Sequence, residues 1–289
     1  MATKSDLTVV VLTMNEEKNI AKCINSVKNL AERIVVVDSG SSDNTVEIAK
    51  NLGAQVFHHD FENYARQFNW GLDNTDIKTK WVLRLDADEV IPPELADEMA
   101  REMLAHKDDD VNGMQLKLKQ CFLGRWLKYG GSYPFIKLML FKNGIGRIED
   151  RKMDEHTVLS SGTTILLKND ALHYDFRDIT YFTHKHNWYS IREAQDYIAN
   201  NMGDGLSNLE EGSLKSHRKQ KILYYKAPRF FRAFLLFCYY YFIKLGFLDG
   251  KEGFIHCVLE YFWYRFLVDV KIFEYKKTGY IQKETGALK

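Results

Sequence analysis

Three short apolar runs, Leu7-Thr-Val-Val-Val-Leu12, Arg33-Ile-Val-Val-Val-Asp38 and Trp81-Val-Leu-Arg-Leu-Asp86, mark the first third of this chain. Runs apolar on both sides suit strands of a sheet covered by helices on both faces. Between them the spacing changes: Ile20, Cys23, Ile24, Val27 and Leu30 recur with the period of a helix, as do Tyr64, Phe68 and Leu72. A shorter strand is predicted at Ala54–Phe57, a helix from Val46 to Leu52, and another opened by Pro92-Pro93, since proline is tolerated in a first turn. Alternation of this kind through about residue 105 predicts an α/β fold with a mostly parallel sheet flanked by helices. Ligands of such sheets gather beyond the carboxyl ends of the strands. Thr13-Met-Asn15-Glu16, Asp38-Ser-Gly-Ser and Asp86-Ala-Asp88 all fall there, so three polar clusters distant in sequence are expected around one crevice.

The turns exclude the common competitors. The first is Thr13-Met-Asn-Glu-Glu17, without the glycine fingerprint of a dinucleotide site, and the chain has neither a phosphate loop nor a nucleophile elbow. In an extended segment Asp86 and Asp88 would point the same way and could converge on one cation. Magnesium or manganese takes oxygen ligands and is commonly held by one or two carboxylates plus substrate phosphates. A solvated acidic turn is the alternative for so short a motif.

A formal net charge of +1 over 289 residues argues against nucleic acid as the partner. Cys23, Cys121, Cys238 and Cys257 are far apart with no Cys-x-x-Cys pair, which fits reduced core thiols. Met1-Ala-Thr-Lys-Ser-Asp6 runs straight into the first strand, with no apolar block of a secretory signal, so a cytoplasmic setting is expected.

With these residues assembled, the chain resembles a family-2 glycosyltransferase of the GT-A type. The resemblance is carried by Val-Leu-Thr13-Met-Asn15-Glu16-Glu, by Val-Val-Asp38-Ser-Gly-Ser-Ser-Asp-Asn-Thr45 and by Leu-Asp86-Ala-Asp88-Glu89, in that order. It extends to Lys152-Met-Asp154-Glu155-His156, Leu172-His173-Tyr, Lys185-His186-Asn187-Trp-Tyr189 and Gly246-Phe-Leu-Asp249-Gly250. These are similar to lipopolysaccharide-core glucosyltransferases and to capsule and exopolysaccharide enzymes. The resemblance implies that Thr13, Asn15, Glu16 and Asp38 line a nucleotide-sugar pocket, with Asp38 facing the base. It also implies that Asp86 lies near ribose or metal and that Asp88 is the acid holding Mn2+ or Mg2+. Arg66 would supply a second cation to the pyrophosphate, with Asn69 nearby; the alternative is a plain helix surface. His173 resembles the histidine that completes the metal or phosphate site in many GT-A enzymes.

From Asp108 onward the pattern becomes that of strands with one wet face, around a loop, Phe122-Leu-Gly-Arg-Trp126 to Pro134, rich in glycine and aromatics. Relatives often carry tryptophan at Ser132 and arginine at Met139, a departure that bears on which sugar is taken. An inverting transfer needs a base for the acceptor hydroxyl, and a carboxylate is the usual choice. Glu155 aligns with the acid of a Val-His-Glu in related enzymes, and Asp154 stands next to it.

The division expected is a catalytic domain over 1–177, nucleotide-binding to about 105 and acceptor-binding beyond, followed by a helical extension over 178–289. Ile179 to Met202 reads as a helix. No acidic residue occurs between Glu211 and Asp249, while Lys215, Arg218, Lys219, Lys221, Lys226, Arg229, Arg232 and Lys244 accumulate beside Phe230 to Ile243. The apolar run is short of the roughly 20 residues that span a bilayer. Basic and aromatic residues together predict helices lying on an anionic membrane surface; the alternative is a hairpin packed on the catalytic domain. The sum is a metal-dependent, inverting transferase that moves a sugar, from UDP in preference to GDP, to a lipid-linked glycan or lipopolysaccharide-core acceptor. It would work peripherally on the cytoplasmic face of the inner membrane. A nucleotide-sugar-binding protein without activity and a membrane scaffold are the rival readings.

Overall fold

The structure, a computed structural model, describes residues 4–149, 156–174, 177–202, 224–225 and 227–281. Asp154 and Glu155 lie outside the described residues, as do Lys215, Arg218, Lys219, Lys221 and Lys226. The chain divides into two compact units, one of Met1–Lys128 with Ser132–Phe176, the other of Tyr129–Gly131 with Arg177–Leu288.

The first unit is built on β1 (Ser5–Thr13), β2 (Ala31–Asp38), β3 (Gln55–His58) and β4 (Trp81–Asp86), joined through helices α1 (Ile20–Val27), α2 (Thr45–Asn51) and α3 (Tyr64–Asn74). These strands lie parallel in the order β3-β2-β1-β4. Side chains alternate across the sheet, so Val9, Val11, Val36, Leu83 and Leu85 join Ile20, Cys23, Ile24 and Val27 in one core. Val10, Val35, Val37 and Val82 join Ala65, Phe68 and Phe141 in the other. Burial on both sides accounts for runs with no polar alternation.

After β4 the sheet departs from the expected parallel pattern. A two-residue strand β5 (Glu89–Val90) leads into α4 (Pro93–Ala105), which has proline in its first turn. Then β6 (Val111–Phe122), β7 (Arg125–Trp126), β8 (Phe135–Lys142), β9 (Gly146–Ile148), β10 (Thr157–Leu159) and β11 (Thr163–Tyr174) follow. β8 inserts antiparallel between β4 and β6, and β11 runs parallel to β6 while pairing antiparallel with β5. The sheet is therefore parallel in its first half and mixed in its second.

The second unit is helical: α5 (Ile179–Met202), α6 (Phe231–Cys238, continued as a wider turn to Ile243), α7 (Gly250–Cys257) and α8 (Tyr264–Thr278). Ala194 of α5 packs with Tyr264, Val268 and Ile272 of α8 in a small core. Several polar groups in its interior are paired. Glu193 accepts from the hydroxyls of Tyr225 and Tyr264 and from Arg265, and His186 Nε2 lies 2.8 Å from Glu260. Arg232, read from sequence as part of a basic flank, is instead buried against Asp269. Arg232 of α6 and Asp269 of α8 are each other's partner. Tyr129–Gly131 belongs here through backbone bonds: Tyr129 N donates to Asp249 Oδ2 (2.8 Å), Gly130 N to the Lys244 carbonyl (2.9 Å), and Tyr261 Oη to the Gly130 carbonyl (3.1 Å). Gly131 has φ 73°, and a Cβ there would meet the Tyr240 ring at 2.6 Å, so only glycine suits that position.

Candidate active site

Parallel register brings the ends of β1, β2 and β4 to one edge. Thr13 pairs with Asp38, and Leu12 with Asp86. The two loops that follow β1 and β2 then interlock. Asn15, at φ 55°, a conformation asparagine tolerates better than most residues, donates its N–H to Ser41 Oγ and accepts from Ser42 N through Oδ1. Glu16 N donates to Thr45 Oγ1 (2.7 Å), while the Glu16 carboxylate accepts from Asn19 Nδ2 (2.7 Å).

Asp38 holds this loop together. Its Oδ1 accepts from the hydroxyls of Thr13 and Ser41, and its Oδ2 from the amides of Gly40 and Ser41, both at 2.9 Å. A carboxylate has about four acceptor positions, and four donors occupy them. In this structure the carboxylate builds the loop. Asp38→Asn leaves one oxygen for these four donors and brings an NH2 against two of them. It is expected to destabilise the protein by about 1–3 kcal/mol, read by chemical denaturation; a midpoint equal to wild type would remove Asp38 as the organiser.

Asp86 and Asp88 are not on an extended segment. β4 ends at Asp86, Ala87 and Asp88 form a turn, and Glu89 begins β5. The turn is closed by Glu89, 1% exposed, whose Oε2 accepts from Asp86 N (2.9 Å) and whose Oε1 accepts from Lys137 Nζ (3.0 Å). Lys137 Nζ also lies 3.5 Å from Asp86 Oδ2. Asp86 Oδ1 accepts from the Tyr64 hydroxyl, which in turn accepts from Arg84 Nε (2.9 Å). On β11, opposite Glu89, His173 places Nε2 at 3.2 Å from Asp88 Oδ2.

Burial opposes the charge on Asp86, Glu89 and His173, and the pairings decide the outcome. Asp86 is pushed up by burial, yet Lys137 and Arg84 bring it below the usual carboxylate range. Glu89 is held above that range by burial, which outweighs Lys137. Burial disfavours the His173 imidazolium, and Asp88 beside it more than compensates, so its pKa is raised. The result is a carboxylate-rich turn with an ammonium and an imidazole built into its walls.

Two residues placed here by sequence reading are turned elsewhere. Successive residues of a helix are about 100° apart, and α3 presents Tyr64 to Asp86 and Gln67 to Ser39. Arg66 falls on another face, more than half exposed and paired with Glu62. The Asn69 amide bonds both the N–H and the carbonyl of Ile148, at 3.0 and 2.8 Å, a structural tie. Both line a shallow cleft with His59, Glu62, Trp70 and Asp73. The cations beside Asp86 are Arg84 and Lys137, which sequence reading passed over. A charged residue inside the apolar run Trp81–Leu85 was the signal for the first; nothing local marked the second.

Residues 8–176, the stretch carrying all of these groups, match the family model of glycosyl transferase family 2. The chain belongs to this family. It is a glycosyltransferase, and its relatives agree. It is 30% identical over 261 residues to an uncharacterized glycosyltransferase of Rickettsia typhi, covering 88% of this chain and 82% of that one. It is 27% identical over 290 residues to the lipopolysaccharide core biosynthesis glycosyltransferase LpsC of Rhizobium meliloti, covering 95% and 94%. Among solved structures it is similar to glucosyl-3-phosphoglycerate synthase from Mycobacterium tuberculosis, in complex with Mn2+, UDP and glucosyl-3-phosphoglycerate. That likeness has 22% identity and a TM-score of 0.33, over 42% of this chain and 45% of the other.

Proposed function

We propose that this family-2 glycosyltransferase transfers a sugar with inversion from a nucleotide diphosphate, UDP in preference to GDP, to a lipid-linked glycan of the lipopolysaccharide-core kind. The observation that carries the reading is the closed turn Asp86-Ala-Asp88-Glu89, set at the strand ends beside the Thr13 and Asp38 loops. The name of the Rhizobium relative supports the acceptor class.

Asp88 offers a carboxylate, a donor suited to Mn2+ or Mg2+, with the His173 imidazole beside it. Among the described residues no group of three or more His, Cys, Asp and Glu is arranged to hold a metal ion. The pair therefore fits an ion that draws its remaining ligands from diphosphate and water. Asp86, already neutralised by Lys137 and bonded to Tyr64, stands beside this pair as support. When bound, a divalent ion offsets the negative charge that builds on the departing nucleoside diphosphate. Glu155, or Asp154 beside it, takes the proton of the acceptor hydroxyl as the new bond forms. The work is done on the cytoplasmic face of the inner membrane, peripherally, with the second unit as the anchor.

Glu155→Gln is expected to keep nucleotide binding and to lose roughly 10²–10⁴ in turnover, measured by titration and by product formation with a panel of nucleotide sugars. Full activity in that variant would move the base to Asp154 or beyond.

A further inference from the structure

No single described helix is long and apolar enough to cross a membrane, but Phe231–Ile243 and Gly246–Thr278 form a pair bent by 71°. The first arm, 13 residues, reaches about 20 Å, well under the roughly 30 Å hydrocarbon core. Its outer side is nonetheless apolar. Phe231, Phe234, Leu235, Phe242 and Ile243 are 56, 48, 46, 55 and 70% exposed, and Phe247 at the bend is 44% exposed. Soluble surfaces rarely carry so many large apolar side chains together.

The charges within this stretch have one sign. From Ala227 to Leu248 there is no acidic residue, and the charged ones are Arg229, Arg232 and Lys244. Arg232 would be the obstacle to lipid contact, but it points inward, buried on Asp269. Asp249, the next acid, is also buried and accepts from Tyr129 N. What reaches the outside is therefore apolar surface bordered by half-buried Arg229 and exposed Lys244. A lysine at the rim can extend its ammonium toward phosphate headgroups while its stem stays with the apolar face.

From this we infer that the face formed by Phe231, Phe234, Leu235, Phe242, Ile243 and Phe247 embeds, at the bend of this helix pair, in one leaflet of an anionic bilayer. The Arg232–Asp269 pair keeps charge out of the lipid. The inference rests on the membrane setting proposed above and specifies which side chains enter the lipid, how deeply, and which lipid charge they select. The surface is matched to lipid over a second copy of the chain by its single sign of charge, which would repel itself across a symmetric contact.

Flotation of the full chain with phosphatidylcholine vesicles, with and without phosphatidylglycerol, tests it without donor or acceptor. The chain is expected to float with the phosphatidylglycerol vesicles. Phe242→Ser, Ile243→Ser and Phe247→Ser together should weaken this on the order of 100-fold with an unchanged melting curve. Lys244→Glu should reduce the preference for the anionic lipid. A Phe242→Trp indole should be quenched by lipids brominated near the headgroups. Equal flotation of the triple variant overturns the assignment. So does a wild-type chain that stays with the soluble fraction, or one that sediments as a dimer broken by the triple substitution without binding vesicles. Sugar turnover is measured separately on soluble acceptor: its failure with flotation intact would sink the transfer reading and leave the lipid face standing.

Discussion

Asp88→Ala is expected to lower sugar transfer by at least about 10²–10³-fold, the scale seen when one electrostatic partner of a developing charge is removed. Two observations point to the loss. Asp88 is 8% exposed, facing His173 across 3.2 Å, so its carboxylate is held beside an imidazole at the end of the turn. Asp86, by contrast, already has Lys137 and Tyr64 as neighbours. The measurement is turnover of a nucleotide sugar together with nucleotide affinity with and without Mn2+. Metal-enhanced binding should vanish in the variant, and the denaturation midpoint should hold, since Glu89 and not Asp88 closes the turn. Wild-type turnover in Asp88→Ala would sink the assignment of this residue to the metal.

The largest expected effect on stability lies in the other unit. Arg232 and Asp269 are each 1% exposed at the side chain, and Asp269 also accepts from Phe230 N (2.8 Å). Removing one partner leaves a buried charge with no counter-ion, a loss of roughly 3–5 kcal/mol. Arg232→Met and Asp269→Leu are each expected to show it in chemical denaturation. The double variant should regain a large part, because an apolar pair of similar volume avoids the desolvation of both charges. It should fall short of wild type by the Phe230 amide, left without its acceptor. Additive losses in the double variant would mean the two side chains act independently.

Sequence reading located the parallel half of the sheet because its strands are buried on both faces and leave an apolar run with no alternation. It placed the three polar clusters at one edge for the same topological reason, and the pairing of Thr13 with Asp38 and of Leu12 with Asp86 brings those strand ends together, with Asp88 in the turn that follows. The mixed half escaped it, since antiparallel insertion of β8 between β4 and β6 depends on long-range pairing that no local period records. The same limit hid Lys137, which reaches Glu89 across 48 residues. Arg66 lies away from Asp86 for a more local reason: two positions along a helix turn a side chain by about 200°, to the opposite face, and Tyr64 holds the inward place. Arg232 was misread because composition counts charge without showing its partner, and Asp269 lies 37 residues on. Asp154 and Glu155, the proposed base, remain for kinetics to distinguish.

The three residues Tyr129–Gly131 carry a consequence for how such an enzyme can be altered by recombination. The chain passes between its two units at 128/129, 131/132 and 176/177. A crossover after Phe176 would therefore join a new helical unit to an old glycine segment. That segment needs a carboxylate at the place of Asp249, a hydroxyl at that of Tyr261 and a ring at that of Tyr240 shaped around Gly131. Lineages that exchange the C-terminal helices must exchange this tripeptide with them, so inheritance of the helical unit is tied to a short stretch more than 40 residues upstream of Arg177.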